Sequence, residues 1–474
     1  MRRTKIVCTI GPASESPETI RALITAGMDV ARLNFSHGTL EEQGRRIDTL
    51  RAEAARLGKN LAILLDIQGP KIRLGHFAQP VLVEPGDTVV LTSEPVPCTR
   101  ERISVGYPHL ARDLRPGAPV FIDDGLIELQ VQKVAGNDVI CQVQVGGELR
   151  SRKGVSLPGV EIDLPPATEE DVQHLRFGVE KGVDYVAASF VRRRSHVEAI
   201  RQIVREAGGD QPIIAKIESG EGVRRLDEIV AAADGVMVAR GDLGVETPLE
   251  EVPLVQRMII EKCNEAGKPV ITATQMLESM VENHRPTRAE VTDVAHAIFD
   301  GTDAVMLSGE TAVGRFPVEA VRVMARICQR IEASLPYEEM LEKKRIYARR
   351  DIAEAISYAT CQTASDLNAA AILSSTQSGS TARMVAKYRP RAPIIAVTPN
   401  PAIVRRLALV WGVHPLLVSK AENIDRMLDV AVGAARAAGL VTDGDLIAIT
   451  AGVRTGVPGS TNLLQVVQVG KDGR

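Results

Sequence analysis

The stretch Ile213-Ile-Ala-Lys-Ile-Glu-Ser219 reads as a buried strand that carries two charges, Lys216 and Glu218, near its downstream end. Side chains two apart on a strand share a face, so a cation and a carboxylate project together where the strand stops. Burying either is costly unless it is paired or used. One reading is a structural ion pair. The other is a metal-binding carboxylate beside a lysine that faces an anionic substrate. A second carboxylate, Asp242, follows the next strand in Val236-Met-Val-Ala-Arg-Gly-Asp242. With no His or Cys cluster nearby, Glu218 and Asp242 suit a hard cation such as Mg²⁺ or Mn²⁺. Other strand ends add to them. Arg32, Asn34 and Ser36 share a face just before His37, and Asp66, Ile67, Lys71 and Arg73 cluster after strand three. Gly241 lets a backbone N–H approach a substrate carboxylate. Thr274 supplies a hydroxyl, and Ser308-Gly-Glu310 ends the eighth strand. Lysine, arginine, paired carboxylates and hydroxyls, without a Ser-His-Asp set, point to phosphoryl transfer by charge stabilisation. The chain has no GxxxxGK[ST] loop, so a nucleotide must be held in another way.

Those strand ends need a frame that brings them together. Short apolar runs at 5–10, 30–35, 61–67, 185–191, 212–218, 235–240, 269–275 and 304–308 alternate with helical patterns such as 17–26, 40–57, 169–181, 195–206, 253–266, 288–299 and 318–334. Eight such units predict a (β/α)8 barrel over 1–70 and 163–340, with functional groups at the C-terminal ends of the strands. The pattern breaks once, at 71–162, where turn dipeptides such as Pro85-Gly86, Pro116-Gly117 and Pro158-Gly159 separate short β-like runs. That density predicts a small all-β module, a β-barrel lid leaving the barrel mouth after strand three. Residues 341–474 resume alternation as an open α/β domain, with strands near 370–374, 394–398, 414–418 and 446–450 and an antiparallel edge strand at 463–469.

Composition narrows the class. At 474 residues the chain exceeds a single core, since cores stop growing near roughly 250–300 residues. A 3% aromatic content with one Trp offers no stacking platform for single-stranded nucleic acid. No apolar run reaches the roughly 18 residues of a membrane helix, and the N-terminus lacks a signal-peptide pattern. Six scattered Cys without a CxxC pair read as reduced thiols of a cytoplasmic protein. Net charge is −3, yet residues 341–474 hold 17 Lys and Arg against 10 Asp and Glu, which suits an anionic ligand.

Arg32–Gly38, Asp66–Arg73, Lys216–Glu218, Met237–Glu246, Ala273–Met280 and Val305–Thr311 together resemble the pyruvate kinase family in order and spacing, and the likeness runs through lid and C-terminal domain. The resemblance implies transfer of a phosphoryl group from phosphoenolpyruvate to ADP. Lys216 would neutralise the group in flight, Glu218 and Asp242 would hold the divalent metal, and Arg32 would contact phosphate. The Gly241 and Asp242 amides with Thr274 would bind the carboxylate, and Thr274 would help protonate the enolate. Asn34, His37, Arg73, Lys153 and Pro12 would line the nucleotide site. Asn34, Ser36, Asp66 and Ile67 match the monovalent-ion ligands. Members that need K⁺ carry Thr where this chain has Ile67 and Glu where it has Lys71, so the Lys71 ammonium is expected to take the place of the cation. K⁺ is then not required. In the C-terminal domain, Ser374-Ser-Thr-Gln-Ser-Gly-Ser-Thr381 lies between a strand and a helix, where hydroxyls and free amides form an anion site. The family's effector loop implies that Thr376, Ser378, Gly379, Ser380 and Thr381, with Arg454, bind a phosphorylated activator. AMP or a sugar monophosphate is favoured. With its last residue at Arg474, the chain is expected to lack the extra C-terminal domain of some bacterial members. A cytoplasmic homotetramer is implied, with no nucleic-acid or membrane partner. Two alternatives are a Mg²⁺-dependent lyase or aldolase of pyruvate-like enolates and a catalytically inactive phosphometabolite sensor.

Overall fold

The computed structural model describes residues 2–349, 351–421, 423–452 and 461–471. Eight parallel strands close into a barrel: β1 (Lys5–Thr9), β2 (Val30–Asn34), β3 (Ala62–Asp66), β4 (Tyr185–Ala188), β5 (Ile213–Ile217), β6 (Gly235–Ala239), β7 (Val270–Ala273) and β8 (Ala304–Leu307). The ring closes where β1 pairs with β8, Lys5 opposite Ala304. Alternation explains why these runs are apolar on both faces. Val7, Leu64, Ile214, Met237, Ile271 and Met306 fill the interior, while Ile6, Cys8, Ile63, Leu65 and Ile213 pack under the surrounding helices. Across the eight strands only Arg32 and Asn34 are not fully buried. Both are candidate site residues at the mouth.

The insertion builds its own apolar core from Ile72 to Ile162. Its strands pair as a six-stranded sheet and a two-stranded ribbon, Val81–Val83 with Gly147–Leu149. One helical turn, Leu110–Asp113, interrupts the all-β reading. In the C-terminal domain β9 (Ala371–Ser375), β10 (Ile394–Thr398), β11 (Val413–Leu417) and β12 (Leu446–Gly452) run parallel in the order β11-β10-β9-β12. The expected edge strand, β13 (Thr461–Gln468), pairs antiparallel with β12. This domain plugs the barrel floor, opposite the mouth. Its Ala408 and Leu409 complete the interior cluster, and Tyr185, the first residue of β4, donates to the Arg406 carbonyl at 2.6 Å. No helix among the described residues is long and apolar enough to cross a membrane.

Several helical pieces depart from the pattern read in the sequence, among them Gly309–Ala312, where the eighth strand was expected to end. After β5 come Gly220–Arg224 and Leu226–Ala232, where no helix was expected. Strand β6 stops at Ala239, and Arg240–Glu246 forms a short helix instead of a strand end. Asp242 therefore reaches the mouth from the first turn of a helix.

Candidate active site

The centre of the mouth is a chain of ion pairs that starts on β2 and ends past β5. Arg32 Nε donates to Asp66 Oδ2 at 2.7 Å and Arg32 Nη1 to Thr9 Oγ1 at 3.0 Å. The Lys216 ammonium lies 3.2 Å from Asp66 Oδ1, 3.0 Å from Glu218 Oε1 and 2.6 Å from Ser189 Oγ. Lys216 and Glu218 thus share a face, as their spacing requires. Burial pulls Lys216 toward losing its proton, but Asp66 and Glu218 outweigh it and hold its pKa above the ordinary lysine value. Burial likewise pushes Asp66 up, and Lys216 with Arg32 brings it below the usual carboxylate range. Glu218 differs. Burial raises its pKa, Lys216 offsets this only in part, and the like charge of Asp242 adds to the rise. Its Oε2 accepts from the Phe190 N–H at 2.6 Å. Ser189 was not singled out in the sequence, although a hydroxyl closing the apolar run Tyr185-Val-Ala-Ala-Ser189 is a readable signal.

A second unit is built on backbone strain. Thr274 and Gln275 hold φ of 68° and 56°, a left-handed conformation that is rare for a β-branched residue. Arg240 fixes that turn, donating to the Thr274 carbonyl at 2.6 Å and the Ala273 carbonyl at 3.2 Å while paired with Asp293 at 2.6 Å. The Gly241 N–H donates to Thr274 Oγ1 at 2.9 Å, and that hydroxyl donates to the Ala273 carbonyl at 2.6 Å. A Cβ on Gly241 would meet nothing nearer than Thr274 Oγ1 at 3.8 Å. No protein contact forbids a side chain there, so the open space belongs to the cleft. That cleft, about 520 Å³, lies between lid and mouth and is lined by Asp124, Arg240, Gly241, Glu246 and Gln275.

Lys71 corrects an expectation. Its ammonium does not stand among Asn34, Ser36 and Asp66. It pairs with Asp242 Oδ1 at 2.9 Å and Asp124 Oδ1 at 3.4 Å, and burial, which would lower its pKa, is outweighed by those carboxylates. The chain turns at Gly69 (φ 69°) as it leaves β3, which directs Lys71 toward the helix after β6. Around the expected monovalent site, Asn34 Oδ1 accepts from the Ser36 N–H at 3.2 Å, and the Ile67 carbonyl accepts from Ser189 Oγ at 2.7 Å. Asp66 is held by Arg32 and Lys216. On the lid, Arg73 bridges to Gly154 and donates to the Arg152 carbonyl at 3.0 Å, and the neighbouring Lys153 pairs with Asp123 at 2.8 Å. Pro12 and His37 are exposed.

Glu218 and Asp242 fit a divalent cation. Two carboxylates that repel each other, one held above its ordinary pKa, form a donor set that a cation relieves. Among the described residues no three His, Cys, Asp or Glu side chains converge on one point. The remaining ligands would be substrate oxygens and water, the usual manner for Mg²⁺.

At the far end of the molecule, Gly379 (φ 80°) precedes the helix Ser380–Lys387. Ser378 Oγ donates to Ser380 Oγ at 3.1 Å. The Thr381 hydroxyl is buried against that of Thr461 at 2.9 Å, so it ties the helix to the edge strand. Thr376 lies on the other side of the loop, beside Gln377 and Lys420. Arg454 lies outside the described residues.

Comparison with known proteins fits this geometry. The family model for the pyruvate kinase barrel domain matches residues 1–321, and that for the pyruvate kinase alpha/beta domain matches 354–467. A pyruvate kinase of Geobacillus stearothermophilus is 54% identical over 469 residues, 98% of this chain and 80% of that protein. One from Staphylococcus aureus is 50% identical over 475 residues, 100% of this chain and 81% of that protein. With both domain models matched and half of all positions identical to full-length relatives, the chain belongs to the pyruvate kinase family, and it is a phosphotransferase.

Proposed function

We propose that the mouth cluster transfers the phosphoryl group of phosphoenolpyruvate to ADP, giving ATP and pyruvate, with Lys216 as the fixed charge on the group in flight. One observation carries this reading: a buried ammonium gripped by Asp66, Glu218 and Ser189 and kept protonated by the first two. A preorganised charge in a dry site stabilises developing charge without the reorganisation that water would need. Arg32 supports the same role. Its Nε and Nη1 are held by Asp66 and Thr9, which leaves Nη2 for a phosphate oxygen. The Gly241 and Asp242 amides lie in the first turn of a helix at the cleft and would receive the substrate carboxylate, the Gly241 N–H once it leaves Thr274 Oγ1. To pass a proton to the enolate carbon, the Thr274 hydroxyl must turn away from the Ala273 carbonyl that it now serves.

Pyruvate kinases generally use a divalent metal, and here Glu218 and Asp242 would hold it. Bound there, the ion supplies Lewis-acid neutralisation of phosphoryl and enolate oxygens. Lys71 must give way at Asp242 or share it. Asn34, His37, Arg73, Lys153 and Pro12 would receive ADP, and the lid that carries Arg73 and Lys153 would keep water from the phosphoryl group. Turnover without K⁺ is read from Asp66, which Lys216 and Arg32 already hold, and not from Lys71, which pairs with Asp242 and Asp124. The loop 376–381 would bind a phosphorylated activator, and a cytoplasmic homotetramer completes the reading. Simultaneous measurement of ATP and pyruvate from phosphoenolpyruvate and ADP tests the central claim. Equal yields support it, pyruvate without ATP would mean that water takes the phosphoryl group, and neither product would leave the lyase and sensor readings.

A further inference from the structure

Where the lid meets the barrel beside Asp242, one side chain ties the two together. The lid presents a turn, Asp123-Asp124-Gly125, between its strands Pro119–Ile122 and Ile127–Ala135. These three residues hold φ of 54°, 54° and 86°, and two aspartates in that region need support from their surroundings. Much of it comes from within the lid. The Asp123 N–H donates to the Gly154 carbonyl at 3.0 Å, and the Asp123 carboxylate takes Lys153 at 2.8 Å. Toward the barrel the fit is loose. A Cβ on Gly125 would meet nothing nearer than Val245 Cγ1 at 3.9 Å, so the turn faces the helix Arg240–Glu246 without interlocking with it. Lys71 joins them. Its stem lies across the lid backbone at Gly154, where an added Cβ would stand 2.7 Å from Lys71 Cε. Its ammonium reaches Asp242 of the barrel at 2.9 Å and Asp124 of the lid at 3.4 Å. Among the described residues no other cation pairs with either carboxylate.

We propose that Lys71 is a latch that holds the lid turn on the barrel in the metal-free chain, and that a divalent cation releases it by taking Asp242. The latch rests on the reading of Glu218 and Asp242 as the metal site. A cation bound there draws on the same Asp242 oxygens that Lys71 now holds. Lys71 then keeps only Asp124, whose side chain is 74% exposed, and an ion pair that open to water holds little. With that tie gone, the loose contact between Gly125 and Val245 is what remains of this lid–barrel junction. The coupling runs both ways. Metal loosens the lid, and the latched lid weakens the metal by the same factor. Closure without metal thus covers the cleft that Asp124, Gly125, Gly241 and Val245 line, and release of Lys71 makes cation binding the step that uncovers it.

Two measurements on the full chain without substrates test the latch. In the first, Mn²⁺ alone is titrated in and the free ion is counted by electron paramagnetic resonance. Lys71→Met should bind Mn²⁺ about fivefold more tightly than the wild type, the worth of one ion pair near the surface. The second reads the lid position as the distance between fluorescent labels on Gln132→Cys in the lid and Glu180→Cys on the barrel, both exposed. The six native cysteines are buried, which leaves the labels to those two sites. Adding Mg²⁺ should lengthen and broaden that distance in the otherwise wild-type chain. In Lys71→Met it should be long from the start and unmoved by Mg²⁺. Asp124→Asn, at an exposed position, should lengthen it without metal while leaving Mn²⁺ affinity within about twofold, and it decides the matter if Lys71→Met does not fold. A distance that ignores both Mg²⁺ and Asp124→Asn, while Glu218→Gln weakens Mn²⁺ binding, would overturn the latch and leave the metal site standing. Mn²⁺ binding indifferent to Glu218→Gln would overturn the metal reading and the latch with it.

Discussion

Buried ion pairs ring both ends of the barrel, but the two ends spend their charges differently. At the floor each carboxylate is saturated from within the protein. Asp184 accepts from Arg51 at 2.7 Å, Arg405 at 2.8 Å and the Ile63 N–H at 2.8 Å. Asp303 accepts from Arg389 at 3.0 Å on both oxygens and from the N–H groups of Trp411 and Val270. At the mouth, Asp66, Glu218 and Asp242 divide Lys216, Arg32 and Lys71 among them, and Glu218 is left with its pKa raised. Saturated pairs fasten one domain to another. Unsaturated ones at a cleft are available to a ligand, and that difference separates scaffold from site.

The comparison can be broken first at the floor. Arg389→Met leaves Asp303 buried and unpaired, which should cost about 3–5 kcal/mol of stability. Turnover per folded molecule should change little, as urea unfolding alongside active-site titration will show. A second floor test uses pH. Burial, then the nearby Lys5 and Arg3, depresses the His414 pKa to about 3. The unfolded chain binds a proton near pH 6.5 and the folded chain does not. Stability is therefore complete above that pH and should fall as pH drops from about 6.5 toward 3, by up to a few kcal/mol. His414→Gln should flatten thermal melts recorded across that range.

Effects at the mouth should appear in function more than in stability. Glu218→Gln and Asp242→Asn should each raise the Mg²⁺ concentration for half-maximal rate about tenfold or more, since an amide is a poorer ligand for a hard cation. An unchanged metal dependence in both would place the metal elsewhere. The smallest effect concerns Lys71. Wild-type rates in K⁺-free tetramethylammonium buffer should lie within a few-fold of those with K⁺, and Lys71→Glu should create a K⁺ requirement. A K⁺ ion at Asp66 would meet the Lys216 and Arg32 cations that already hold that carboxylate. A wild-type rate depressed about a hundredfold without K⁺ would show that Asn34, Ser36 and Asp66 still bind the ion.

Where local pattern decides, the sequence was a good guide. Apolar runs on both strand faces gave the eight barrel strands, and the two-residue spacing of Lys216 and Glu218 put both on one face. Long-range choices were not legible. Lys71 is directed to Asp242 by a turn and by the seating of the lid, and nothing in Gly69-Pro-Lys71 names a partner 171 residues away. The Thr381 hydroxyl finds Thr461 80 residues downstream. Arg240 reads as one charge at a strand end, and only the closed barrel shows it holding the Thr274 turn. The helices Gly220–Arg224 and Arg240–Glu246 escaped because both are short and glycine-bearing, which propensity disfavours.

The most direct measurement is the turnover of Lys216→Met, which keeps much of the bulk of the side chain and removes the charge between Asp66 and Glu218. Loss of one preorganised contact to the transition state should lower kcat by about 10²–10³, with a much smaller change in KM for phosphoenolpyruvate. A kcat near that of the wild type would contradict the account, because the buried ammonium would then be a structural pair like those at the floor.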